Sequence, residues 1–263
     1  MLLIRALIAI ALASWAQEPQ MPSPTAFEVV SIKPSVAPPG ANGQEIDGLH
    51  LYAGGRVLCK GCQPSFLIMR AFDIQLYQLS GAPSWIEEDM YDVDGRPPAG
   101  SKASQLMPSN ARQPPSEEQR RMLQSVLAER FQLEYHRETS QGAVYLLRRN
   151  SKRLKLVPTQ KPDSLPVFGR RFLGLAHDGL SADNASLELI AKRLSAVLGR
   201  PVFDRTAIPG SFDVRCEYTS QTPAADSLEV IRACLPEIGL KLDAAKGPVE
   251  RFVIDHVEKP LPN

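Results

Sequence analysis

Histidine and aromatic residues are scarce in this chain, with 4 His, 2 Trp and an aromatic share of 6%. Few imidazoles leave little material for general acid–base chemistry or transition-metal ligation. An excess of one charge is also missing. The 30 Lys+Arg stand against 29 Asp+Glu, for a net charge of +1, so no global field attracts nucleic acid or an acidic partner. The sequence has no G-x-S-x-G, H-E-x-x-H or G-x-G-x-x-G motif and no P-loop, which removes the usual footing for hydrolase, zinc-protease, dinucleotide or nucleotide-triphosphate chemistry. No cofactor is expected. Past the first residues, no apolar run approaches the roughly 20 residues a membrane helix needs.

What is present begins at the start. In "MLLIRALIAIALASWAQ" Arg5 is the only charge, an apolar run extends from Ala6 to Ala13, and small Ser14 and Ala16 precede Gln17. This pattern predicts a secretory signal peptide over residues 1–16, followed by a flexible leader over 17–26. No Cys directly follows the apolar run, which argues against a lipid anchor. The expected location is secreted or periplasmic, with membrane contact only through the signal peptide and no nucleic-acid partner. In an oxidising compartment the four cysteines, Cys59, Cys62, Cys216 and Cys234, read as disulfides, and three pairings are open.

"FEVVSIKPS" reads as a strand closed at Pro34, and "LHLYAGGRVLC" as a hairpin or two short strands around Gly54-Gly55. Four units then follow, each expected to run helix, strand, turn, strand. In the second, Ser116 and Gln119 make a capping box, and Met122, Leu123, Val126 and Leu127 form one apolar helical stripe. Phe131, Leu133 and Tyr135 then alternate with polar residues, which is strand periodicity. In the third, Leu187, Ile190, Leu194 and Val197 make the stripe and Gly199 ends it. In the fourth, Asp226 and Glu229 have N-cap spacing, Leu228, Ile231, Leu235 and Ile238 make the stripe, and Lys246-Gly247-Pro248 reads as the turn. The expected fold is α+β: repeated helix-strand-strand units in two lobes, with helices packed on mostly antiparallel sheets. The expected lobes are 26–157, with a polar, Pro-rich mobile loop at 97–116, and 171–258.

Several blocks, among them "FEVVSIKPS", "YQLSGAPSWIEEDMYDVDGRP", "MLQSVLAERFQLEYHRET" and "LGRPVFDRTAIPGSFDV", resemble in order those of an uncharacterised soil-associated bacterial protein family with a domain of unknown function. The resemblance covers nearly all of the chain after its leader. It implies export and, because a similar domain looks fused behind a membrane-bound sensor peptidase in some relatives, a sensing or binding role. It carries over no catalytic residue. "SLEVIRACLPEIGLKLD" also resembles the short N-terminal domains of outer-membrane secretins and transducing receptors. That likeness concerns fold alone.

Cys59 and Cys62 form a C-x-x-C ahead of Pro64, a residue suited to a first helical position. A redox pair would need an accessible thiolate at such a helix start. A structural disulfide is the plainer reading, with Cys216 paired to Cys234 across about 18 residues for roughly 3 kcal/mol. A zinc site would need four ligands, and His50, His136, His177 and His256 are scattered, so no metal is expected. Asp92, Asp94 and Gly95 echo a calcium loop, but Met90 and Ser101 occupy two ligand positions. The basic run Arg148, Arg149, Lys152, Arg153 and Lys155 reads as a solvated strand end or as a contact for anionic envelope polymers. Together these features favour a non-catalytic binding or envelope-interaction module, whose partner would be an envelope component or a protein. A thiol-disulfide oxidoreductase and an extracytoplasmic ligand-sensing domain are the alternatives.

Overall fold

The computed structural model describes residues 26–36, 49–100, 115–150, 154–168, 179–217 and 227–261. The expected signal peptide, the leader up to residue 25, Asp226 and most of the 97–116 loop lie outside them. The described residues form five α-helices and three four-stranded, mostly antiparallel sheets, an α+β fold.

The chain opens with strands β1 (Val29–Pro34), β2 (His50–Leu51) and β3 (Val57–Cys62). Helix α1 (Pro64–Phe72), β4 (Leu79–Ser80), the short helix α2 (Trp85–Glu88), β5 (Tyr91–Arg96), α3 (Glu117–Arg130) and β6 (Glu134–Arg149) follow. The second half runs β7 (Val157–Pro158), β8 (Val167–Phe168), β9 (Gly179–Ser186), α4 (Leu187–Leu198), β10 (Val202–Asp204), β11 (Ser211–Glu217), α5 (Ser227–Glu237) and β12 (Leu240–His256). Local chemistry accounts for the helices. Ser116 and Gln119 close the capping box of α3 reciprocally, at 3.2 and 2.9 Å. Ser186 caps α4 by accepting from the Leu189 amide, and Gly199 ends it with φ 60°.

The four expected units group in pairs. One outer sheet has the order β1-β5-β3-β2 and the other β7-β11-β9-β8, the same order advanced by six strands. The third sheet, β10-β6-β12-β4, is likewise unchanged when the halves are exchanged. In it β10 runs parallel to β6 with Val202 beside Tyr145, and β4 runs parallel to β12 with Leu79 beside Phe252. This is the pairing of two copies of one motif related by a twofold through the central ribbon, each lending its last strand to the other.

That ribbon corrects the expected turns. β6 and β12 do not fold back on themselves. They pair antiparallel along almost their whole length, from Leu240 beside Arg149 to His256 beside Glu134. Gly247 of the expected Lys246-Gly247-Pro248 turn sits directly opposite Gly142. Here glycine serves close packing instead of a turn: a Cβ on Gly142 would lie 2.7 Å from Val249 Cγ2, and one on Gly247 3.1 Å from Val144 Cγ2. In the third unit, β10 joins the ribbon sheet and β11 an outer sheet, so these strands do not pair with each other.

Among the described residues most buried apolar side chains fall in two clusters. The first gathers α1, α3 and the sheet of β1, β5, β3 and β2, and the second gathers α4, α5 and the sheet of β7, β11, β9 and β8. The ribbon reaches into both. Phe252 and Ile254 of β12 belong to the first cluster, while Tyr145 and Leu147 of β6 belong to the second. Each core thus takes side chains from both sides of residue 157.

Candidate functional site

The cysteine pairs come first. Cys59 bonds Cys62 with Cα atoms 5.8 Å apart, and Cys216 bonds Cys234 with Cα atoms 5.6 Å apart. The C-x-x-C straddles a bulge: Cys59 faces Val93 and Cys62 faces Tyr91, leaving one extra residue on β3. Gly61 takes φ 60° there, and its amide donates to Asp92 Oδ1 at 2.8 Å. Asp92 thus has a structural task. Asp94 has another, as a two-pronged partner of Arg56 at 2.8 and 2.6 Å. That hydrogen bonding holds the Asp94 carboxyl below its ordinary value. Cys59 and Cys62 are 0% and 1% exposed, so neither sulfur meets the access a redox centre needs.

Of the basic run, the described Arg148 and Arg149 turn to different partners. Arg149 donates to the carbonyls of Thr206 and Ala207 at 2.9 and 3.3 Å, and Arg148 lies 3.9 Å from Asp243. Lys155 is exposed, and Lys152 and Arg153 lie outside the described residues, as does His177. His136 sits on the ribbon between Asp255, at 2.8 Å, and Glu138, at 3.2 Å. Its hydrogen bond to Asp255, then that to Glu138, raise its pKa above the ordinary histidine value. Among the described residues no group of three or more His, Cys, Asp or Glu is arranged to hold a metal ion.

The structure brings together a different set of residues. Where the end of α1 meets α4, a cleft of about 400 Å³ opens between the halves, within the range of small-molecule sites. Its apolar side includes Leu165, Pro166, Phe168 and Leu189, and its polar side includes Arg70, Lys192 and Arg193. Arg70 occupies the last turn of α1 and is half-buried. Burial pulls its guanidinium below the ordinary arginine value, the Asp73 carboxylate opposes this, and Arg120 adds to it. The guanidinium of Arg193 lies 5.6 Å from the ring centroid of Phe168, a cation–π distance. The wall carrying Leu165 and Pro166 is fastened to β9 by Asn184, whose side-chain amide donates to the carbonyls of Pro162, at 3.2 Å, and Ser164.

Asp73 stands at the centre of this arrangement. Both of its carboxylate oxygens lie 2.8 Å from Lys192 Nζ, across the junction of the halves, and Arg120 of α3 approaches to 3.6 Å. Asp73 further lines a second, adjoining cavity of about 350 Å³ with Phe72, Glu117, Arg120, Arg121 and Gln124. Glu117 is bonded to Arg121, and Gln124 Nε2 donates to the Ala71 carbonyl at the end of α1, at 2.8 Å. The site is therefore a pair of adjoining hollows rich in cations, separated by one carboxylate and bordered by apolar surface. It suits an anion with an apolar body. These residues come from four distant stretches, 70–75, 117–124, 165–168 and 189–196, and form no motif. The one local signal is Asp73, which stands where a helix more often ends in glycine.

The sequence matches the family described as "Protein of unknown function (DUF3738)" over residues 65–257, and the chain belongs to that family. No curated protein and no solved structure matches it.

Proposed function

We propose that this member of the DUF3738 family is an exported, non-catalytic binding protein, secreted or periplasmic, whose ligand occupies the cleft between the end of α1 and α4. The observation that carries the reading is the convergence of Arg70, Lys192 and Arg193 from both halves on a cleft with an apolar wall. Export is supported by the first 16 residues of the sequence and by its two buried disulfides. The described residues include no helix long and apolar enough to cross a membrane. A ligand held between two halves also suits a sensing role, because occupancy would be felt by both cores at once.

The test uses anilinonaphthalene sulfonate, an anionic aromatic probe whose fluorescence rises on burial. The wild-type chain is expected to bind it, and Ala196→Trp, which fills the cleft from α4, to weaken binding about tenfold while leaving the far-UV circular dichroism and the thermal midpoint in place. Binding of the probe by Ala196→Trp at wild-type affinity would remove the cleft from consideration.

A further inference from the structure

We propose that Asp73 is an internal stand-in for the ligand's own anion, and that the ligand is an amphiphile with a carboxylate or phosphate head, which takes over Lys192 from Asp73 on binding. The inference rests on the cleft reading above and goes beyond it in naming the chemical class and the competitor.

Three observations carry it. First, Asp73 holds φ 53°, in the left-handed region. The matching helix of the second half, α4, ends in Gly199 at φ 60°, where no Cβ is strained. The motif thus admits glycine at this position, and the first half retains a carboxylate despite the strain. Second, this carboxylate is 48% exposed and Lys192 46%. Ion pairs so open to water add little stability, so stability does not account for keeping Asp73. Third, Asp73 lies on the border of both hollows. Arg70, Lys192 and Arg193 line one hollow with it and Arg120 and Arg121 the other, while the second carboxylate, Glu117, is engaged by Arg121. Cations therefore outnumber anions around the point where Asp73 sits. An incoming carboxylate or phosphate can take the Lys192 contact and leave Asp73 to Arg120 and water. The apolar side formed by Leu165, Phe168 and Leu189 receives the body of the ligand.

A ligand that displaces an internal competitor gains affinity when the competitor is removed. Isothermal titration of the full chain with octanoate, octyl phosphate and octyltrimethylammonium tests this. Asp73→Asn removes the charge but keeps a residue that tolerates the left-handed region. The two anions are expected to bind and the cation to be refused, and the tighter anion assigns the headgroup. Asp73→Asn is expected to bind the anions about tenfold tighter. Lys192→Ala should weaken them and cancel the gain from Asp73→Asn. Failure of both anions to bind, or equal binding of octyltrimethylammonium, overturns the ligand class. Wild-type affinity in Asp73→Asn overturns the displacement. In each case the cleft itself is judged separately, by anilinonaphthalene sulfonate and Ala196→Trp.

Discussion

The two halves repeat one strand order yet end their helices differently. In the first half, α1 ends at Asp73 with φ 53°, and Gln132 follows α3 with φ 50°. In the second, Gly199 and Gly239 occupy the corresponding places, with φ 60° and 85°. A non-glycine residue in the left-handed region costs about 1–2 kcal/mol, so the second half takes the relaxed solution. The first half keeps side chains at the strained positions and uses them: Gln132 donates to the Glu129 carbonyl at 2.8 Å, and Asp73 reaches across to Lys192. The halves also staple themselves differently, one across a bulge between cysteines three residues apart and the other from strand to helix over 18 residues. At these two helix ends the duplicated scaffold accepts either a side chain or glycine.

The largest effect is expected where one half completes the other's core. Phe252 is supplied by the last strand of the second half to the first core, where it is 1% exposed. It stacks on Tyr135 at 4.2 Å and meets Phe72 at 4.7 Å. Phe252→Ala should cost about 4 kcal/mol in urea unfolding, with hydrogen exchange rising first in β3 and β5. Earlier loss of protection in β9 and β11 would mean that each half keeps its own core. Next come the staples. Replacing both Cys216 and Cys234 by Ala should cost about 3 kcal/mol, and replacing both Cys59 and Cys62 about 2 kcal/mol, because the longer loop frees more of the unfolded chain. Equal shifts in the unfolding midpoint would show that loop length does not govern the difference. In the ribbon, Gly142→Ala should destabilise by about 1–2 kcal/mol and Gly247→Ala by less, following their 2.7 and 3.1 Å approaches. A reversed order in thermal melts would relocate the tight crossing.

Much of this architecture is legible in the sequence because helices announce themselves locally. The Ser116–Gln119 box, the α3 stripe and Gly199 need only neighbouring residues to be read. The ribbon is a different case. Gly142 and Gly247 look like turn residues, since turns are the commonest local use of glycine, and the reason for them is a partner strand about a hundred residues away. The cleft is less legible still. Arg70, Phe168 and Lys192 lie in three segments with no spacing rule between them, and only the fold makes them neighbours. The basic run from Arg148 to Lys155 was conspicuous because its charges are adjacent in sequence. In space, Arg149 turns to the Thr206 and Ala207 carbonyls and Arg148 to Asp243, so neighbours in the chain do not share a partner.

The smallest effect is the most discriminating between scaffold and site. Gln132→Gly should stabilise the chain by about 1 kcal/mol by relieving left-handed strain, less whatever the bond to Glu129 contributed. Asp73→Gly relieves similar strain but removes the pairs with Lys192 and Arg120. At exposures of 48% for Asp73, 46% for Lys192 and 30% for Arg120, those pairs are worth about 0–1 kcal/mol each. The two contributions nearly cancel, so Asp73→Gly should leave the urea midpoint close to wild type. A loss above about 2 kcal/mol, outside what exposed pairs supply, would make Asp73 a clasp holding the halves together. An unchanged midpoint accompanied by altered anion affinity would mean that the first half tolerates its strained helix end for the sake of the cleft.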